Sequence, residues 1–201
     1  EILSGLVGSE MCIRDSSNIG NVLHYYQRQN PREFRAILKR LAKAIPGLKK
    51  ITPEVSKDKR LLLKFDEEGY QDPFFQHGMS DGTLKMLAYA VLLEDPQPRP
   101  FIGIEEPENG LYVRLVERLA SQFSSRTANT ALSTQMLVTT HSPYFVDALQ
   151  PGQVWLIRKG SDGHAQATCA ADVETIAAMN AQGIPLGSLW YSNHFDDGAS
   201  E

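Results

Sequence analysis

The chain has 201 residues, 42% hydrophobic and 22% charged, with a formal net charge of −4, enough for one globular domain with a sizeable core. No run approaches the roughly 18 apolar residues of a transmembrane helix, and the N-terminus lacks the basic start and long apolar stretch of a signal peptide, so a cytoplasmic location and no membrane partner are expected. Two cysteines, Cys12 and Cys169, exclude a disulfide framework and offer no metal-ligand spacing.

In chain order, Met11-Cys12-Ile13-Arg14-Asp15-Ser16 is what the nucleotide string ATGTGTATAAGAGACAG plus one base encodes, and that string resembles a sequencing-library adaptor. Residues 1–16 are therefore expected to be read-through, with the native chain beginning near Ser17. Asn30-Pro31 opens a helix, Asn as N-cap and Pro at the first helical position. Phe34, Ile37, Leu38, Leu41 and Ile45 then recur at helical spacing until Pro46-Gly47 ends it. From Arg28 to Arg60 there are 11 Lys/Arg against 3 Asp/Glu, a local balance of +8 in a chain that is −4 overall. Such a basic face reads either as a nucleic-acid footprint or as a solvated helix exterior.

Ile51 to Val55 and Leu61 to Phe65 predict two strands joined across Ser56-Lys57-Asp58-Lys59, followed by a loop from Asp66 to Gly78. A helix is expected from about Gly82 to Leu93, and Pro96, Pro98 and Pro100 make a stiff turn into a buried strand, Phe101 to Glu105. Leu115, Val116, Leu119 and Phe123 give a helix from Val113 to about Ser125. Met136 to Val138 is a strand, Tyr144 to Leu149 a helix and Val154 to Ile157 a strand. The tail offers an edge strand at Ala167 to Ala170, a helix at Val173 to Met179, an apolar anchor at Leu186 to Tyr191 and a frayed end from Asp196. This alternation predicts an α/β fold with a mainly parallel sheet and helices against it.

The chemistry concentrates in three stretches. Phe101-Ile102-Gly103-Ile104-Glu105-Glu106-Pro107-Glu108-Asn109-Gly110-Leu111 runs an apolar strand into clustered carboxylates, at the end of a strand where α/β sheets place ligands. Side chains alternate along a strand, so one acid can hold a hard cation while its neighbour faces an attacking water; a solvated acidic loop is the plain alternative. Met79-Ser80-Asp81-Gly82-Thr83-Leu84-Lys85 puts Ser80 where an N-cap belongs, so its hydroxyl and the free amides of the first turn form either an anion site or an ordinary cap. Thr139-Thr140-His141-Ser142-Pro143 places a histidine after a β-branched strand end.

The ordered set MSDGTLK, FIGIEEPENGL and TTHSP resembles the signature, Walker B plus D-loop, and switch-histidine motifs of ABC-type ATPase heads, in particular the RecF/SMC-like branch that includes the ATPase part of the overcoming-lysogenisation nucleases. The segments around Ser17 to Leu23 and Leu186 to Phe195 also look like that family's flanks. The resemblance implies a P-loop NTPase fold, ATP and Mg²⁺ as cofactors, and a homodimer formed around two sandwiched nucleotides. It implies Glu105 as the Mg²⁺-associated acid, Glu106 as the general base and His141 as a contact to the γ-phosphate and attacking water. Ser80, Asp81, Gly82 and Lys85 would meet the nucleotide of the opposite subunit, and Glu108 is read as structural. The sequence departs from the common pattern at Asp81, which replaces a glycine, at Glu105, which replaces an aspartate, and at Tyr112, which stands where transporters have an aspartate.

No G-x-x-x-x-G-K-[ST] string occurs in the 201 residues. The chain is therefore expected to be the C-terminal part of one head, with an insertion at about 28–78, a motif-bearing core at 79–158 and a tail at 159–201, and to be inactive by itself. The expected function is ATP hydrolysis coupled to dimerisation and to action on DNA, RNA or a protein partner such as a nuclease, in genome maintenance or phage defence. An ATP-gated dimerising module without turnover is the alternative. A metal-dependent nuclease would want a second Asp-x-Asp pair, which the sequence lacks.

Overall fold

The computed structural model describes residues 19–56, 61–128 and 134–195. The expected read-through at 1–16, most of the hairpin turn at 57–60 and the end at 196–201 lie outside them. The described chain divides into two compact units, one of residues 19–105 and 134–137, the other of residues 106–128 and 138–195.

The first unit opens with α1 (Ile19–Gln29), a helix beyond those expected, whose Ile19, Val22, Leu23 and Tyr26 recur at helical spacing and are buried. Helix α2 (Pro31–Ala44) follows with Pro at its start as expected, although Asn30 makes no side-chain cap bond. Its Phe34, Ile37, Leu41 and Ala44 are buried, while Arg32, Arg35, Lys39 and Lys43 lie exposed along the opposite side. β1 (Leu48–Val55), β2 (Leu61–Glu67) and β3 (Phe74–Phe75) form an antiparallel meander in the order β1-β2-β3. The first strand starts three residues earlier than expected, and the stretch read as a loop from Asp66 contains β3 and a short 3-10 turn, Gln76–Gly78.

Helix α3 (Asp81–Leu93) is buried all round from Met86 to Leu93, and packs on α2. Just past its end, Asp95 is buried and accepts hydrogen bonds from Tyr26 Oη (3.4 Å) and Gln97 N (2.9 Å). Burial, reinforced by the Asp95 carboxylate, raises the Tyr26 phenol far above its ordinary range, so it stays a proton donor. Arg40 grips Glu94 through both Nε and a terminal nitrogen, which ties α2 to the end of α3.

β4 (Phe101–Glu105) pairs with β5 (Gln135–Thr139). Gln135 N donates to Pro100 O (2.8 Å) and Glu106 N to Thr139 O (3.0 Å), the spacing of a parallel ladder joined by a helical crossover. The expected burial of this strand is only half right: Ile104 is 6% exposed, but Phe101 is 55% and Leu137 on β5 is 62% exposed. Alternation puts Ile104 on a covered face and Phe101 on an open one.

In the second unit α4 (Val113–Thr127) buries Leu115, Val116, Leu119, Ala120 and Phe123, and Phe123 meets Phe145 edge to face at 6.2 Å. α5 is a single turn (Pro143–Val146), shorter than the helix expected to Leu149. β6 (Trp155–Lys159) and β7 (Ala165–Cys169) form an antiparallel hairpin, and α6 (Glu174–Ala181) and α7 (Leu186–Tyr191) close the unit. Their core is Val146, Val154, Ala170, Ile176, Leu186, Leu189 and Phe195. Among the described residues no helix is long and apolar enough to cross a membrane.

Candidate functional site

β4 ends at Glu105, and the chain turns sharply at Glu106, whose φ of 41° is in the left-handed region that a non-glycine residue rarely enters. Its amide donates to Thr139 O and, at 3.3 Å, to Thr139 Oγ1, so the residue just past one strand is hydrogen-bonded to the residue that ends the other. A turn follows over Pro107 to Gly110, the glycine with φ 78°, and its Asn109 bends back. Asn109 N donates to Glu106 O (3.2 Å) and Asn109 Nδ2 to Glu106 Oε2 (2.7 Å), which orients the carboxylate.

The other carboxylate oxygen, Oε1, lies 3.5 Å from His141 Nε2. The pair is open to water, with His141 84% and Glu106 37% exposed, so the contact adds little stability. The backbone bonds at the strand ends, rather than this contact, hold the two residues near each other. The third acid of the cluster does more than fill a turn: Glu108 Oε1 accepts from Thr140 Oγ1 (2.6 Å) and His141 N (2.8 Å). Thr140 Oγ1 in turn accepts from Ser142 N (3.0 Å). Two residues 35 positions apart thus meet beside a set of bonds that starts from the turn after β4.

Ser80 stands at the N-terminus of α3, where its Oγ accepts from Thr83 N (3.1 Å) and lies 2.9 Å from Thr83 Oγ1. Asp81 is exposed in the first turn, a favourable place for an acid against the helix dipole, Gly82 is buried, and Lys85 is half-buried and engaged within the chain. These four belong to the first unit, as does Glu105, which is exposed at the end of β4; Glu106 and His141 belong to the second. Tyr112 is the N-cap residue of α4, is 54% exposed and makes no cap bond with its side chain.

Sequence reasoning named Glu106 and His141, which lie together, as site residues but did not so name Asn109 and Thr139, which hold Glu106, or Thr140. Asn109 carried a local signal, a side-chain amide three residues after an acid across a proline turn. The thread through Thr139 and Thr140 joins positions more than 30 residues apart and has no local signature.

The similarity of the chain to solved structures is to SMC ATPase heads. One is a chain from work on ATP-driven dimerization and DNA-stimulated activation of SMC ATPases, 16% identical, TM-score 0.58, over 81% of this chain and 98% of that one. A second is an Smc head domain with an extended coiled coil bound to the C-terminal domain of ScpA from Pyrococcus furiosus, 20% identical, TM-score 0.52, over 74% of this chain and 37% of that one. A third is an SmcHead bound to the C-winged helix domain of ScpA, 19% identical, TM-score 0.52, over 76% of this chain and 48% of that one. At these identities the likeness is one of fold, and the chain spans less than half the length of the last two. No curated protein matches the sequence. Residues 13–147, the greater part of the chain, match the family profile described as "AAA domain, putative AbiEii toxin, Type IV TA system", and the chain belongs to that family of AAA domains.

Proposed function

We propose that the chain carries the hydrolysis-directed part of an ABC-type ATP site. Glu106 is the general base that orients the attacking water, and His141 contacts that water and the γ-phosphate. Ser80, Asp81, Gly82 and Lys85 meet the γ-phosphate of a nucleotide held by an opposite subunit in a homodimer. The observation that most supports this reading is the meeting of Glu106 and His141 at 3.5 Å from the ends of adjacent parallel strands, with Glu106 in a strained backbone conformation.

Among the described residues no three His, Cys, Asp or Glu side chains converge, so Glu105 suits an ion that keeps several waters and takes the rest of its ligands from phosphate, as Mg²⁺ does. Bound there, Mg²⁺ supplies charge neutralisation to the phosphates. The backbone cradle and lysine of G-x-x-x-x-G-K-[ST] are not in these 201 residues, so turnover requires a P-loop supplied by another segment. In a protein that joins the two, Glu106→Gln is expected to keep ATP binding, to slow hydrolysis by roughly 10²- to 10⁴-fold and to trap a dimer visible by light scattering. Undiminished turnover in the variant removes Glu106 as the base. A parent protein that binds ATP and dimerises without turnover selects the second reading, an ATP-gated module, which Tyr112 and Asp81 favour by departing from the hydrolytic pattern.

The partner acted on by the dimer is read as nucleic acid from α2, where Arg32, Arg35, Lys39 and Lys43 share one exposed side. Duplex DNA binding followed by fluorescence anisotropy is expected to weaken with salt at a log-log slope of about −0.9 per phosphate contacted, and to fall with Lys39→Glu. Binding indifferent to both would leave this face merely solvated.

A further inference from the structure

We propose that Glu108 is a positioning residue: its carboxylate, anchored in the turn after β4, sets the backbone of the segment after β5 and so fixes where the His141 imidazole stands relative to Glu106. A single oxygen, Oε1, takes both donors, the Thr140 hydroxyl at 2.6 Å and the His141 amide at 2.8 Å. Both bonds have the short lengths of bonds to a charged acceptor. Because Thr140 spends its proton on Glu108, its oxygen is free to accept the Ser142 amide at 3.0 Å, and the direction of the hydroxyl is settled. Three consecutive residues, Thr140, His141 and Ser142, are thereby pinned through one carboxylate 32 to 34 positions earlier.

The geometry separates Glu108 from its neighbours. Glu106 faces His141 with its side chain and is held by Asn109, whereas the Glu108 carboxylate accepts from the backbone of His141 and the hydroxyl of Thr140. It acts on the imidazole from behind, through the main chain. His141 is 84% exposed, so no packing of its own side chain fixes it. The segment is kept in place by hydrogen bonds from its amides and from the Thr140 hydroxyl, and Glu108 is the acceptor for two of them, one of each kind.

The anchor stands on the geometry alone, while its consequence for turnover rests on the ATPase reading above. Amide hydrogen exchange by NMR on the 201-residue chain tests the first without nucleotide. In Glu108→Ala the His141 amide is expected to exchange about tenfold faster, the loss of one bond of ordinary net strength, with amides of α3 unchanged. Glu108→Gln retains a carbonyl acceptor at the same place and is expected to restore the protection. Thr140→Val, which leaves Glu108 in position, is expected to speed exchange at Ser142 while His141 stays protected, so that if Glu108→Ala does not fold, loss of His141 protection in Thr140→Val overturns the anchor. Equal protection of His141 in the parent and in Glu108→Ala, or failure of Glu108→Gln to restore it, overturns the anchor.

In the P-loop-joined protein Glu108→Ala is then expected to lower kcat with KM for ATP unchanged, and Glu108→Gln to recover kcat. A rise in KM alone, or no change in kcat where the parent hydrolyses ATP, overturns the positioning role. A parent with no turnover sinks the ATPase reading and leaves the exchange result to decide the anchor.

Discussion

Glu106 occupies a backbone conformation that costs a non-glycine L-residue about 1–2 kcal/mol, with φ at 41°, immediately before a proline that further restricts it. Glycine enters that region freely. Glu106→Gly is therefore expected to leave thermal stability unchanged or raised, despite losing the bond from Asn109 Nδ2, while removing the carboxylate. Glu105→Gly, one position earlier in an ordinary strand conformation, is expected to cost about 0.5–1 kcal/mol. Thermal melts of the two variants beside the parent decide it, and a clear loss in Glu106→Gly would mean that the left-handed turn is not strained. Strain of this kind concentrates at functional sites, which is why the role proposed for Glu106 starts from its backbone. Nothing in the string Glu105-Glu106-Pro107-Glu108 distinguishes three acids with three different surroundings. One is exposed at a strand end, one is turned to face a histidine, and one is folded back onto a backbone.

Among the elements, α5 and α7 approach closely at Gly187. Gly187 N donates to Asp147 Oδ1 at 2.6 Å, and a Cβ on Gly187 would run into the carbonyl oxygen of Pro143 while sitting 2.8 Å from Asp147 Oδ1. Backbone cannot swing aside as a flexible side chain does. Gly187→Ala is accordingly expected to destabilise by about 1–3 kcal/mol in urea titration, with Asp147→Asn milder because its amide oxygen still accepts. An unchanged midpoint in Gly187→Ala would show that the two helices part without cost. The helix ends at Pro31 and Ser80 were legible because proline geometry and capping are local chemistry, and α1 was legible in principle from Ile19, Val22, Leu23 and Tyr26. Gly187 was not, since its constraint comes from a carbonyl 44 residues away. Nor was the open side of β4: an apolar residue in a strand reads as buried, yet what covers Phe101 and Leu137 depends on neighbours that the strand's own sequence does not name.

Across the whole molecule, the alternation of strand and helix patterns carried the α/β class and the three motifs in their order carried the likeness to SMC heads, to which composition alone did not point. The parallel pair β4–β5 is bracketed in sequence by antiparallel sheets on either side, β1-β2-β3 before it and β6-β7 after it. The β1–β2 hairpin was legible from the short connection between its strands, because pairing direction is set by connections. In the first unit the end of α3 is wholly buried, and in the second Ile176, Leu186 and Leu189 belong to the core.

The hairpin β6-β7 leaves Trp155 60% exposed and Ile157 68% exposed, whereas Trp190 stacks flat on Phe195 with ring centres 5.9 Å apart. The chain has only these two tryptophans. Its ultraviolet emission is thus the sum of one indole in contact with water and one screened by a phenyl ring. Acrylamide quenches the first far more than the second, and any molecule that comes to lie over that strand turns the first toward blue, so the protein carries its own optical gauge of contact at this face, read without a label.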